Sequence, residues 1–227
     1  AVFLLAYVGL AALVVASWAV APVLSFIAFL AISTYHFGRG DATSRIVGRG
    51  AVESIARGGV VIGGISQFHR TEANDVFVTI VGGETAGVWL FLDVLVVFVA
   101  ACIIETLLFK QQRERTAFAL EIGALSLLFM AFPPLVGFAV YFCMVHSFRH
   151  FSSMRSVLAS TVSNLRITQA TVVFSLVTWA FGLVVLVQQS ASIGVEPALL
   201  KVVFIGLAAL TVPHMLLVDG FVRTRTP

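Results

Sequence analysis

Five histidines occur in this 227-residue chain, and four of them lie in or at the ends of apolar runs. They are His36 in Tyr35-His36-Phe37-Gly38, His146 and His150 in His146-Ser147-Phe148-Arg149-His150, and His214 in Pro213-His214-Met215. An ionisable ring within a bilayer is expensive and marks a function by default. Neutral imidazole is a common transition-metal ligand, and a set without thiolates suits Fe, Cu, Zn or Ni. His146 and His150 are spaced i, i+4, so one helix face can offer both rings to one ion. Taken singly, a helix-end histidine reads equally as an interfacial residue. The spaced pair, joined by two more histidines, points to a metal site.

The elements that must position these rings are membrane helices. Hydrophobic residues make up 59% of the chain and charged residues only 11%, against roughly 25% charged in soluble domains. Mean hydropathy is +1.04. Apolar runs cover about 1–20, 22–37, 51–66, 87–109, 116–132, 134–151, 166–187 and 197–218. Most reach the ~20 residues that cross a hydrocarbon core, and they are too long for barrel strands. The expected fold is an all-α polytopic membrane bundle of about seven to eight helices, one domain over residues 1–227. The run 51–66 is short and carries Glu53 and Arg57, which reads as tilted or partly re-entrant; 67–85 reads as interfacial. No signal peptide is visible, and a chain that opens in mid-helix at Ala1 without an initiator Met reads as an N-terminally truncated fragment. Cys102 and Cys143 both fall in apolar runs, so no disulfide framework is implied.

Basic residues set the expected orientation. Arg39, Arg45 and Arg49 follow the second run, Lys110, Arg113 and Arg115 the fourth, Arg149, Arg155 and Arg166 flank the sixth-to-seventh connection, and Arg223 and Arg225 follow the eighth. The alternate connections 20–22, 132–134 and 188–196 carry no Lys or Arg. By the positive-inside rule the first set is cytoplasmic. The net charge of +3 therefore reads as membrane topology and not as nucleic-acid binding. This alternation puts His36, His146, His150 and His214 at one depth, in the cytoplasmic leaflet.

Glu105 and Glu121 lie near that depth within apolar runs. A metal-bound histidine usually gives its other N–H to a carboxylate or carbonyl, which either residue could supply; equally, they could pair with Arg113, Arg115 or Arg149. Asp41 could cap or fix the His36 turn, Cys143 shares the His146/His150 stripe, His69 reads as a surface residue in the opposite loop, and Asp93 has no evident role. Twenty phenylalanines are many for this length, and Phe26, Phe29, Phe37, Phe138, Phe142, Phe148 and Phe151 fall on the histidine-bearing helices. They read either as walls for a long apolar substrate or as core and lipid-facing packing.

The pattern Tyr7 … Trp18 … Pro22 … Phe29-Leu30 … Ser33 … Tyr35-His36-Phe37-Gly38 … Asp41 resembles the Brp/Blh family, the bacterial and archaeal β-carotene 15,15′-dioxygenases that make retinal for microbial rhodopsins. His146-Ser147-Phe148-Arg149-His150 is similar to the family's H-x-x-R-H element, and Thr211-Val212-Pro213-His214-Met215 to its C-terminal Pro-His element. The resemblance covers nearly the whole chain. It implies a non-haem Fe(II) centre with His36, His146 and His150 as ligands, no catalytic residues beyond the ligands, β-carotene and O₂ as substrates, retinal as product, a bilayer setting and a functional link to a retinal-binding rhodopsin. The family places a further ligand in a Pro-His-Gly motif on a helix before the first run here; His214 is then an additional or alternative ligand, or the fourth ligand is absent. The residues alone also allow a b-type haem electron carrier, or a transporter with a histidine proton relay.

Overall fold

The computed structural model describes residues 2–40, 42, 48–149, 151–152 and 163–219. Regular structure is helical throughout, with no strand among the described residues. The helices are α1 (Val2–Val20), α2 (Pro22–Arg39), α3 (Arg49–Gln67), α4 (Arg70–Val81), α5 (Ala86–Phe109), α6 (Gln112–Ala131), α7 (Pro134–Val140), α8 (Asn164–Ile193) and α9 (Val195–Pro213). Two π-helical segments, Tyr141–Ser147 and His214–Asp219, prolong α7 and α9. His150 and Asp41 lie outside the described residues, as do Arg45, Arg155, Arg223 and Arg225.

Local chemistry sets the boundaries. α1 stops at Ala21, at φ −140° and ψ 68°, because the residue before a proline is driven out of the helical region, and Pro22 then opens α2. Gly82 closes α4 in the left-handed region at φ 77°, where only glycine is unstrained. Pro133 and Pro134 end α6 at an extended Phe132.

Among the described residues four helices are long and apolar enough to cross a membrane: Phe3–Val20, Ala86–Phe109, Asn164–Ile193 and Val195–Leu217. The chain is therefore a membrane-associated α-helical protein. The charge-bearing α3 is an unbroken helix, so no re-entrant break occurs there. The interfacial stretch contains a regular helix, α4, which buries Ala73, Phe77, Ile80 and Val81.

Contacts divide the chain into two compact units, residues 1–138 with 208–227, and residues 139–207. In the first unit α3 is central, packed against α2, α4, α5 and α6. Its glycines make this possible. A Cβ on Gly58 would strike the Thr34 carbonyl of α2, and one on Gly38 would strike the Ser54 carbonyl of α3. The two helices thus meet backbone to backbone, antiparallel, with His36 level with residues 54–58. On the other side Gly59 admits Val99 of α5, and Gly64 admits Phe129 of α6. Trp18, Phe26, Phe29 and Phe77 form an aromatic core between α1, α2 and α4, with Phe26 edge-on to Phe77 at 5.1 Å between centroids. An aromatic pair of this kind contributes about 0.5–1.5 kcal/mol.

In the second unit α8 buries no residue at all, and Trp179 is 79% exposed. Such a surface over a whole helix belongs in lipid.

Candidate metal centre

His36 occupies the last turn of α2, half-buried, one residue before the buried Phe37 and two before the Gly38 contact with α3. That contact fixes the helix end, because backbone cannot yield as a side chain can. The Arg39 guanidinium lies over the Tyr35 ring, 5.5 Å from its centroid, at the same end.

His214 follows Pro213 and opens the second π segment. Proline supplies no N–H to the helical ladder, and the wider i→i+5 turn is a frequent companion of functional sites. The His214 ring lies beside His36, with centroids 6.4 Å apart and planes at 82°. Two of the four histidines, far apart in the sequence, are thus neighbours in the first unit. With metal–nitrogen bonds of roughly 2.0–2.1 Å, two imidazoles on one ion have centroids at most about 6.5 Å apart. The observed separation is at that upper limit, the spacing of two ligands on opposite sides of an ion, and imidazole nitrogens suit a borderline metal such as Fe(II).

His146 belongs to the second unit, in the π segment Tyr141–Ser147. It stacks on Phe142, at 5.7 Å and 25°, and lies 6.3 Å from Tyr141 at 31°. The Tyr141 contact is an i, i+5 neighbour, which a π turn brings onto one face. Among the described residues no three His, Cys, Asp or Glu side chains gather, and the fourth candidate, His150, lies outside them.

The carboxylates separate. Glu121 pairs with Arg57, a partner the sequence reading did not name. Arg57 also donates to Glu53, with Nε 3.0 Å and Nη2 2.9 Å from Oε1, and Lys110 Nζ lies 3.0 Å from that same oxygen. Glu53 is 1% exposed. Glu53 and Arg57 bracket the α3 level that faces His36, so this charge cluster shares its height in the bundle. The i, i+4 spacing of Glu53 and Arg57 was the available sequence signal. Glu105 is half-buried on α5, without an ion-pair partner among the described residues.

Elsewhere, His69 Nε2 is 3.2 Å from the Met130 carbonyl, so this half-buried residue ties the start of α4 to α6. Asp93 accepts two hydrogen bonds from Arg70, at 2.7 and 2.9 Å, and one from Gln67 at 3.0 Å. The hydrogen bond to Asp93 holds the Arg70 guanidinium above its ordinary range. Cys143 is exposed and Cys102 buried, and both are free thiols. Of the phenylalanines on histidine-bearing helices, Phe26, Phe29 and Phe37 are core, Phe148 and Phe151 are exposed, and Phe142 meets a histidine.

Fold and site together define an α-helical membrane protein that brings imidazoles from separate helix ends side by side. A model of the family described as Beta-carotene 15,15'-dioxygenase matches residues 1–222. A relative named Beta-carotene 15,15'-dioxygenase, from uncultured marine bacterium 66A03, is 33% identical over 223 residues, covering 97% of this chain and 80% of the relative. No solved structure matches. The chain belongs to the beta-carotene 15,15'-dioxygenase family and is a dioxygenase.

Proposed function

We propose that this enzyme cleaves the central 15,15′ double bond of β-carotene with O₂, giving two molecules of retinal. The family match over nearly the whole chain carries the reading. One C=C bond breaks, two C=O bonds form, and both atoms of O₂ enter the products, so no further reductant is needed. The candidate ligands for a non-haem Fe(II) are His36, His146, His150 and His214; within this set the 6.4 Å approach of His36 and His214 supports the pairing of those two. Bound there, Fe(II) would supply binding and redox activation of O₂.

The chain's own residues do the rest. Neutral imidazoles donate to a cation without adding charge in lipid. The α2–α3 backbone contact holds His36 at a fixed height. Phe37 and Phe142, beside His36 and His146, keep water from the rings. Glu105 and Glu121 are candidates to steady the histidines, with Glu121 itself anchored by Arg57. A polyene dissolves only in lipid, which gives the membrane setting its purpose. The distribution of basic residues supports a multi-pass protein of the cell membrane with the site in the cytoplasmic leaflet. The product suits a retinal-binding rhodopsin as its consumer.

Expression in cells that make β-carotene tests the reading. Loss of colour with accumulation of retinal is expected. Accumulation of long apocarotenals would contradict central cleavage, and a Soret band in the purified protein would favour a haem carrier.

A further inference from the structure

The hydroxyl of Tyr7, on α1, donates a hydrogen bond of 2.6 Å to the backbone carbonyl of Leu210, 203 residues away. Leu210 stands four residues before His214. Pro213 supplies no N–H to the helical ladder, and the chain widens into a π segment at His214, so the helix is least regular at this point. A carbonyl has two lone pairs, and the Tyr7 hydroxyl bonds that of Leu210 one turn before His214, at a distance on the short side for an O–H···O bond. Phe3, one turn earlier on α1, has its ring 6.4 Å from that of Tyr7.

We propose that Tyr7 is a positioning residue: by hydrogen-bonding the Leu210 carbonyl, one turn before His214, it ties the end of α9 to α1 and so sets the His214 imidazole beside His36. The inference builds on the iron-site reading above. It assigns to α1, which bears no histidine, a part in building the site.

The test measures the Fe(II) dissociation constant of the full chain by anaerobic chelator competition, together with thermal unfolding. The set comprises the wild type, Tyr7→Phe, His214→Ala, the double variant Tyr7→Phe/His214→Ala, His36→Ala and Phe3→Leu. Tyr7→Phe keeps the ring and loses only the hydroxyl. It is expected to weaken Fe(II) binding by about 10-fold, the low end for residues that orient a ligand, with the unfolding midpoint close to wild type. Because Tyr7 acts through His214, the double variant should bind as His214→Ala alone does, whereas independent effects would multiply. Phe3→Leu, which leaves the hydrogen bond in place, should bind Fe(II) nearly as wild type. Wild-type affinity in Tyr7→Phe, multiplicative loss in the double variant, or an equal loss in Phe3→Leu would each overturn the proposal while leaving the iron site standing. Unchanged affinity in His36→Ala would instead overturn the iron-site reading itself.

Discussion

Gly38→Ala and Gly58→Ala probe the contact that fixes His36. In each case the new methyl meets a backbone carbonyl of the facing helix, that of Ser54 or of Thr34. A side chain could rotate away, but a helix backbone can only move as a unit, so α2 and α3 must part by more than about 1 Å, and a displacement of about 1 Å at a reacting group costs on the order of 10²-fold in rate. The stability terms oppose one another: overpacking costs about 1–3 kcal/mol, whereas Ala is favoured over Gly inside a helix by about 1 kcal/mol. A net loss of about 0–2 kcal/mol is expected, with a much larger loss of turnover. Gly9→Ala and Gly123→Ala are the controls, because no heavy atom lies within 4 Å of a Cβ there; they should be neutral or slightly stabilising. The assay is retinal formation per purified enzyme in detergent, paired with thermal unfolding. Full turnover and stability in both Gly38→Ala and Gly58→Ala would refute the claim that this backbone contact sets the site.

Arg57→Leu takes one cation from buried Glu53 and one from Glu121; breaking a buried pair in this way costs about 3–5 kcal/mol, and an unfolding midpoint equal to wild type would contradict a structural role for the cluster. Glu105→Gln and Glu121→Gln should lower turnover by roughly 10–100-fold, less than loss of a ligand, as measured by retinal formation. Cysteine labelling in intact cells should place Gln111 and the tail after Asp219 on the cytoplasmic side and Pro133 and Ser190 on the other. Labelling of Gln111 and the tail from opposite sides would break the argument that the four histidines share one depth.

Hydropathy made the helices legible because in lipid the backbone leaves few alternatives, and the apolar runs fall on α1–α3 and α5–α9 with ends displaced by a few residues. His36 and His214 lie side by side, which a shared depth requires of those two. Other features depended on packing that a linear pattern does not encode. Glu53 and Arg57 read as disruptive charges in a short run, yet they are satisfied by each other and by Glu121 and Lys110 from beyond α3. The glycines of α3 carry no hydropathy signal, but they decide how closely α2, α5 and α6 approach. The π turns were hidden because α and π helices share the same apolar composition; only Pro213 hinted at one of them. His69 and Asp93, read as surface and as purposeless, each tie the start of α4 to a neighbouring helix.

The central claim is that a histidine-held iron cleaves β-carotene at its middle bond, and one measurement addresses it directly. Purified enzyme, with its metal content determined, is given β-carotene and O₂ in detergent micelles, and the products are resolved by chain length beside those of His36→Ala. The account predicts about one iron per chain and retinal as the sole carotenoid product, with both iron and retinal lost in His36→Ala. Retinal formed at an undiminished rate by His36→Ala, or products longer than retinal from the wild type, would contradict it.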